Sequence, residues 1–100
     1  MIYQTAYYKV KKQSVEKVKA AVREFTLYVK NNEPGTLLYL AWQKKDDPTS
    51  FMHFFIFADA DAQDIHSKSE AVKKFESVYS PELVSSGIDF TDYELVATNK

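Results

Sequence analysis

One hundred residues bound a single domain, residues 1–100, able to bury about two thirds of its unfolded surface. Thirteen basic and fourteen acidic residues, interleaved in sign, leave a formal net charge of −1 and no stripe to hold phosphates or an anionic lipid surface, so neither nucleic acid nor membrane is an expected partner. The absence of cysteine excludes disulfides, thiolate nucleophiles and thiolate metal sites.

The chain opens Met1-Ile2-Tyr3-Gln4 with no basic segment leading into an apolar one, and no run approaches membrane-spanning length; a cytoplasmic location is expected. Ile2 to Val10 carries Tyr, Thr and Val without a breaker and suits a first strand. Its faces are Tyr3, Thr5 and Tyr7 on one side and Ile2, Gln4, Ala6 and Tyr8 on the other. Ser14 is placed to cap a helix, its hydroxyl accepting from a first-turn amide, with Glu16 near the positive end of the dipole. Val15, Val18, Val22, Phe25 and Val29 recur at spacings of three and four and form one apolar stripe. Asn31-Asn32-Glu33-Pro34-Gly35 ends that helix, since proline restricts the residue before it and glycine tolerates a left-handed backbone.

Two apolar runs follow, Thr36 to Trp42 and Phe51 to Ala58, separated by Lys44 to Ser50, and they predict an antiparallel hairpin. In the second run Phe51, His53, Phe55 and Phe57 point one way and Met52, Phe54, Ile56 and Ala58 the other. Both sets are apolar, whereas a small antiparallel sheet ordinarily keeps one face wet. One helical layer covers one face, so the other calls for a second copy of the chain.

Asp59 or Asp61 can cap a second helix, with Asp64 three residues after Asp61 in the place of a capping box. Ala62, Ile65, Val72, Phe75 and Tyr79 are expected on its inner face. Ser69-Glu70 can restart the helix, which is then either one bent helix or two short ones, and Ser80-Pro81-Glu82 stops it. After Gly87, Ile88 to Val96 alternates as a last strand, with a bulge expected between Phe90 and Tyr93. The order βαββαβ predicts an α+β, ferredoxin-like fold: a four-stranded antiparallel sheet with the helices on one face. At about 25 cal/mol per Å², the bare apolar face favours an obligate homodimer.

No phosphate loop, two-histidine metal box or nucleophile motif is present. His66 lies beside the apolar face of the second helix, where it can reach either a cavity or water; an imidazole titrates near neutrality and can move a proton. His53, among phenylalanines, suits a structural histidine satisfied by a hydrogen bond. His53 and His66 lack the further ligands a metal site needs, so no metal is expected. Tyr3, Tyr7, Tyr8, Tyr39 and Trp42 can form an aromatic pocket for a flat ligand or serve as ordinary packing.

Three segments carry a resemblance: Glu33-Pro34-Gly35-Thr36-Leu37-Leu38-Tyr39; Asp46-Asp47-Pro48 with Phe51; and Phe57-Ala58-Asp59-Ala60-Asp61-Ala62 leading to His66, Ser69 and Phe75. Together they resemble the antibiotic biosynthesis monooxygenase family, which includes quinol monooxygenases. The resemblance implies a dimeric α/β barrel with a small-molecule site between helices and sheet. It also implies oxygenation of an electron-rich aromatic by O2 without cofactor. His66 matches the family's helix histidine and is implied as proton acceptor or anion partner, with Thr5, Tyr39 and Trp42 as substrate-binding residues. Phe55 stands where many relatives carry a glutamate. Thr5, His66 and Glu76 stand where a haem-degrading branch has Asn, Trp and His, which disfavours haem. Two other readings stay open: a non-catalytic dimeric module that binds a small molecule or only associates, and an isomerase of a small metabolite.

Overall fold

The computed structural model describes residues 1–84 and 87–100. Its elements are β1 (Ile2–Lys9), α1 (Val15–Asn32), β2 (Thr36–Gln43), β3 (Ser50–Phe57), α2 (Ala60–Ser67), α3 (Glu70–Tyr79) and β4 (Asp89–Tyr93). The strands form one antiparallel sheet in the order β2-β3-β1-β4, with the three helices on one face: a ferredoxin-like α+β fold.

The α1 stripe buries Val18, Val22, Phe25 and Val29 against Tyr8, Val10, Phe51 and Phe75. Ser14 does not cap this helix with its hydroxyl as expected. The chain enters through a 3-10 turn, and Ser14 Oγ instead donates to Glu82 Oε2 at 2.7 Å, which ties the start of α1 to the 3-10 turn Ser80–Glu82 that follows α3. At the other end Glu33, turned out of the helical conformation before Pro34 at φ −124° and ψ 78°, closes the helix with its amide on the Val29 carbonyl. Gly35 does not use a left-handed backbone; Gly87 alone has a positive φ among the described residues. Gly35 answers a steric demand instead, because a Cβ there would lie 2.6 Å from the Ala62 Cβ. The first residues of β2 and the first turn of α2 can meet only if position 35 carries no side chain.

The hairpin β2–β3 forms as expected, and Asp47 organises its turn by accepting from Thr49 N at 3.1 Å, Thr49 Oγ1 at 2.6 Å and Ser50 Oγ at 2.8 Å. The register shift falls at Thr36 to Leu38 in β2. The bulge expected in the last strand is absent: Asp89 to Tyr93 pair with Tyr7 to Tyr3 without interruption, and Glu94 to Val96 continue past the strand.

The second helical region is two helices. Asp59, not Asp61, caps α2 by accepting from Ala62 N at 2.9 Å, and Ser69 caps α3 by accepting from Val72 N at 3.1 Å. The capping-box role expected of Asp64 is not realised; it pairs with Lys68 at 3.0 Å. The break also corrects the inner face. Ala62, Val72, Phe75 and Tyr79 pack inward, but Ile65 is 62% exposed. In the short α2 the residue one full turn beyond buried Ala62 is His66, so the imidazole takes the inner position and the isoleucine turns to water.

Candidate active site

Cross-strand register sorts the candidate residues between the two faces. Gln4, Ala6 and Tyr8 pair with Phe55, His53 and Phe51 on the face under the helices, and Tyr39 and Ala41 pair with Phe55 and His53 on the same face. Tyr3, Thr5 and Tyr7 lie on the opposite face with Ile56, Phe54 and Met52, as do Leu38, Leu40 and Trp42. There Trp42, half-exposed, stacks on Phe54 with ring centroids 6.4 Å apart.

Between helices and sheet is a cavity of about 270 Å³. Its floor is Ala6 and Tyr8 of β1, Tyr39 of β2 and His53, Phe55 and Phe57 of β3; its roof is Phe25, Gln63, His66, Val72, Phe75, Glu76 and Tyr79 of the helices. Phe90 and Ile88 stand at one side. The structure thus brings Tyr39 and His66 into one site. Thr5 and Trp42 do not join them, because alternation along β1 and β2 turns both onto the other face of the sheet. A larger depression of about 810 Å³ runs between the end of α1 and β2, lined by Arg23, Lys30 and Leu37 among others, but it is an open trough with no imidazole in its wall.

Two hydrogen-bonded groups face the cavity. In the first, His66 Nδ1 lies 2.7 Å from Glu33 Oε1. Glu33 is buried, and Thr36 Oγ1 donates to the same oxygen at 2.9 Å while the Thr36 amide donates to the Glu33 carbonyl at 3.0 Å. Glu33 Oε2 is buried without a hydrogen-bond partner. A carboxylate at Nδ1 fixes the proton there and leaves Nε2 as the lone pair, so the ring is oriented and its basic nitrogen is defined. His66 is held between Phe25 and Phe57, at centroid distances of 5.5 and 5.1 Å, and its side chain is 11% exposed.

The second group is centred on His53. Its Nε2 is 2.8 Å from the Tyr8 hydroxyl and its Nδ1 is 2.7 Å from the Tyr39 hydroxyl. Burial pushes the His53 pKa down to about 4 and pushes those of Tyr8 and Tyr39 up, so all three are neutral near pH 7. Burial, with Glu76 adding to it, raises Tyr79 to about 12. Tyr39 lies parallel to Phe55 at 5.1 Å and edge-on to His53 at 5.5 Å, with His66 at 5.7 Å, so it stands between the two groups.

Sequence reasoning did not single out Glu33 or the pairing of Tyr8 with His53. The clue to Glu33 was a carboxylate immediately before a proline that ends a helix. That position can be buried, because the chain folds back over it. Among the described residues no group of three or more His, Cys, Asp or Glu is gathered as a metal site would require, and no helix is long and apolar enough to cross a membrane.

Residues 1–77 match the family model for antibiotic biosynthesis monooxygenase. No curated protein is similar enough to be matched. Among solved structures, an antibiotic biosynthesis monooxygenase superposes with a TM-score of 0.88 at 21% identity, over 97% of this chain and 100% of that one. A candidate antibiotic biosynthesis monooxygenase from Bacteroides thetaiotaomicron gives 0.90 at 18% identity, over 99% of this chain and 92% of that one. Another, from Nitrosomonas europaea, gives 0.86 at 19% identity over 97% and 100%. Likeness at such identities speaks for the fold.

Proposed function

This chain belongs to the antibiotic biosynthesis monooxygenase family, and from that premise we propose that it oxygenates a small quinol-type aromatic with O2 in the cavity under its helices, using His66 as the proton acceptor. The observation that carries the reading is the orientation of His66. Glu33 holds Nδ1, and the ring borders an aromatic cavity with Nε2 left to a ligand.

The chemistry asks little more of a protein. Nε2 takes a proton from a phenolic hydroxyl, and the dyad becomes an ion pair that the buried carboxylate stabilises. The phenolate gives one electron to O2, and the resulting superoxide and aryloxyl radical, whose spin is shared with the ring, join at a ring carbon as a peroxide, which takes up the proton held by His66. Breakage of the O–O bond with loss of that carbon's hydrogen releases water and leaves a new carbonyl; a quinol with one free ring C–H and O2 thus give a hydroxyquinone and water. Walls of Phe25, Phe55, Phe57 and Phe75 keep bulk water from the radical pair.

The bare face of the sheet, with half-exposed Leu40 and Trp42 beside Met52, Phe54 and Ile56, is on this reading covered by a second copy of the chain. Phe55, an apolar residue in the cavity wall, favours a second reading in which the same cavity binds an aromatic without turnover. Oxygen uptake separates the two. Purified protein given a panel of naphthoquinols and anthrone-type phenols is expected to consume O2, and His66→Ala is expected to lower kcat by about 10²- to 10⁴-fold. No uptake above the uncatalysed rate, or unchanged uptake by His66→Ala, overturns the proposal.

A further inference from the structure

The hydrogen bonds of the cavity floor leave one proton over. Tyr8, His53 and Tyr39 make two hydrogen bonds in a row, hydroxyl to Nε2 and Nδ1 to hydroxyl. A neutral imidazole has one N–H and one lone pair, so one tyrosine donates to the ring and the other accepts from it. The ring is neutral because it is only 1% exposed, with its pKa pushed down to about 4. The tyrosine that accepts from the ring keeps its own hydroxyl proton. Among the described residues neither hydroxyl has another hydrogen-bond partner. The Nε2–H tautomer leaves the Tyr8 proton over and the Nδ1–H tautomer leaves that of Tyr39, and both side chains border the cavity. A buried donor without an acceptor is costly, so the site is built for a ligand atom that accepts.

We propose that Tyr8, His53 and Tyr39 form a donor relay that presents one hydroxyl proton to the cavity and selects an aromatic bearing a second, uncharged acceptor oxygen besides the one that meets His66. Tyr8 and Tyr39 are the specificity-determining contacts, and His53 is a positioning residue that decides which of them donates. The inference rests on the cavity being the substrate site and names the substrates it takes. Two further features bound that class. Among the described lining residues Glu76 is the one carboxylate and there is no Lys or Arg, so rings bearing a carboxylate or phosphate are disfavoured. At a packing density of about 0.74, 270 Å³ accepts about 200 Å³ of ligand, a system of two or three fused six-membered rings.

Calorimetric titration with two probes tests this, carried out without O2 so that neither phenol can be oxygenated. 4-Methoxy-1-naphthol carries the second oxygen and 1-naphthol lacks it. The wild-type protein is expected to bind the methoxy compound about fivefold tighter, and the Tyr8→Phe/Tyr39→Phe double variant to bind the two equally. Nitrogen-15 spectra of the wild-type imidazoles give a measurement that does not depend on the variant folding: the His53 tautomer ratio is expected to move with 4-methoxy-1-naphthol and not with 1-naphthol. Equal wild-type affinities, a preference that survives the double variant, or identical His53 responses to both probes overturn the relay while leaving the substrate site standing. If neither probe binds, both fall.

Discussion

His53 ties stability to pH in a way that can be measured apart from any activity. In the folded chain its pKa is pushed from 6.5 down to about 4 by burial. The unfolded chain therefore takes up the proton first. Stability is full above pH 6.5, falls as pH drops from there, and stops falling on this account near pH 4. At about 1.4 kcal/mol for each unit of that interval, His53 accounts for a loss of about 3 kcal/mol. This is a large share of the 5–15 kcal/mol that holds a domain of about this size. The perturbation is His53→Gln, which keeps a donor and an acceptor for the two tyrosines but does not titrate. Urea unfolding of both proteins at pH 7 and pH 4, at one protein concentration, is the assay. With a slope of about 1.5 kcal/mol per M, the wild-type midpoint is expected to fall by about 2 M more than that of the variant. Asp47, held well below the usual carboxylate range by Thr49, Ser50 and Lys9, and Glu82, lowered by Ser14 and Lys17, lose stability at lower pH in both proteins and cancel in the difference. Equal losses in the two proteins, or a His53 proton titrating near pH 6.5 in the folded state, refute the reasoning.

The contact at Gly35 makes a second test. Gly35→Ala is expected to cost about 1–3 kcal/mol in chemical denaturation, because its Cβ meets that of Ala62 at 2.6 Å, and Gly35→Ala/Ala62→Gly is expected to recover most of that; an unchanged midpoint in the single variant counts against the steric reading. Glu33→Gln removes the carboxylate from His66 and is expected to lower kcat in the oxygen-uptake assay at least tenfold with KM little changed, whereas a loss confined to KM would place Glu33 in substrate binding. Trp42→Glu sets a charge on the bare sheet face, near the end of the edge strand β2, and is expected to convert a dimer to a monomer in light scattering; a wild-type chain already monomeric at micromolar concentration denies the second copy.

Wherever periodicity and packing agreed, sequence already told the fold. The α1 stripe, the hairpin and both faces of β1 lie where spacing puts them, because each is set by a period that hydrophobic burial enforces over many residues. Short elements were less legible. In the eight residues of α2 the cap at Asp59 and the break at Ser69 set the facing, so Ile65, expected inward, turns to water, and His66, able to reach either a cavity or water, faces inward. Pocket membership was harder still. Tyr3, Tyr7 and Trp42 have the same chemistry as Tyr8 and Tyr39, and only the parity of their positions along the strands separates a cavity wall from the outer face.

The polar groups of the site lay beyond local reading because each is satisfied by a residue distant in the chain. Glu33 and His66 stand thirty-three positions apart, and Tyr8 and His53 forty-five. Neither partner signals the other until the sheet register is set. Once it is, Ala6 sits opposite His53, and its small side chain lies in the cavity floor beside the imidazole that Tyr8 and Tyr39 hydrogen-bond. A larger residue at position 6 would keep the hairpin and the hydrophobic pattern intact while closing the cavity floor. On the proposed function, activity therefore depends on a small residue at one register position, a constraint that hydropathy cannot express.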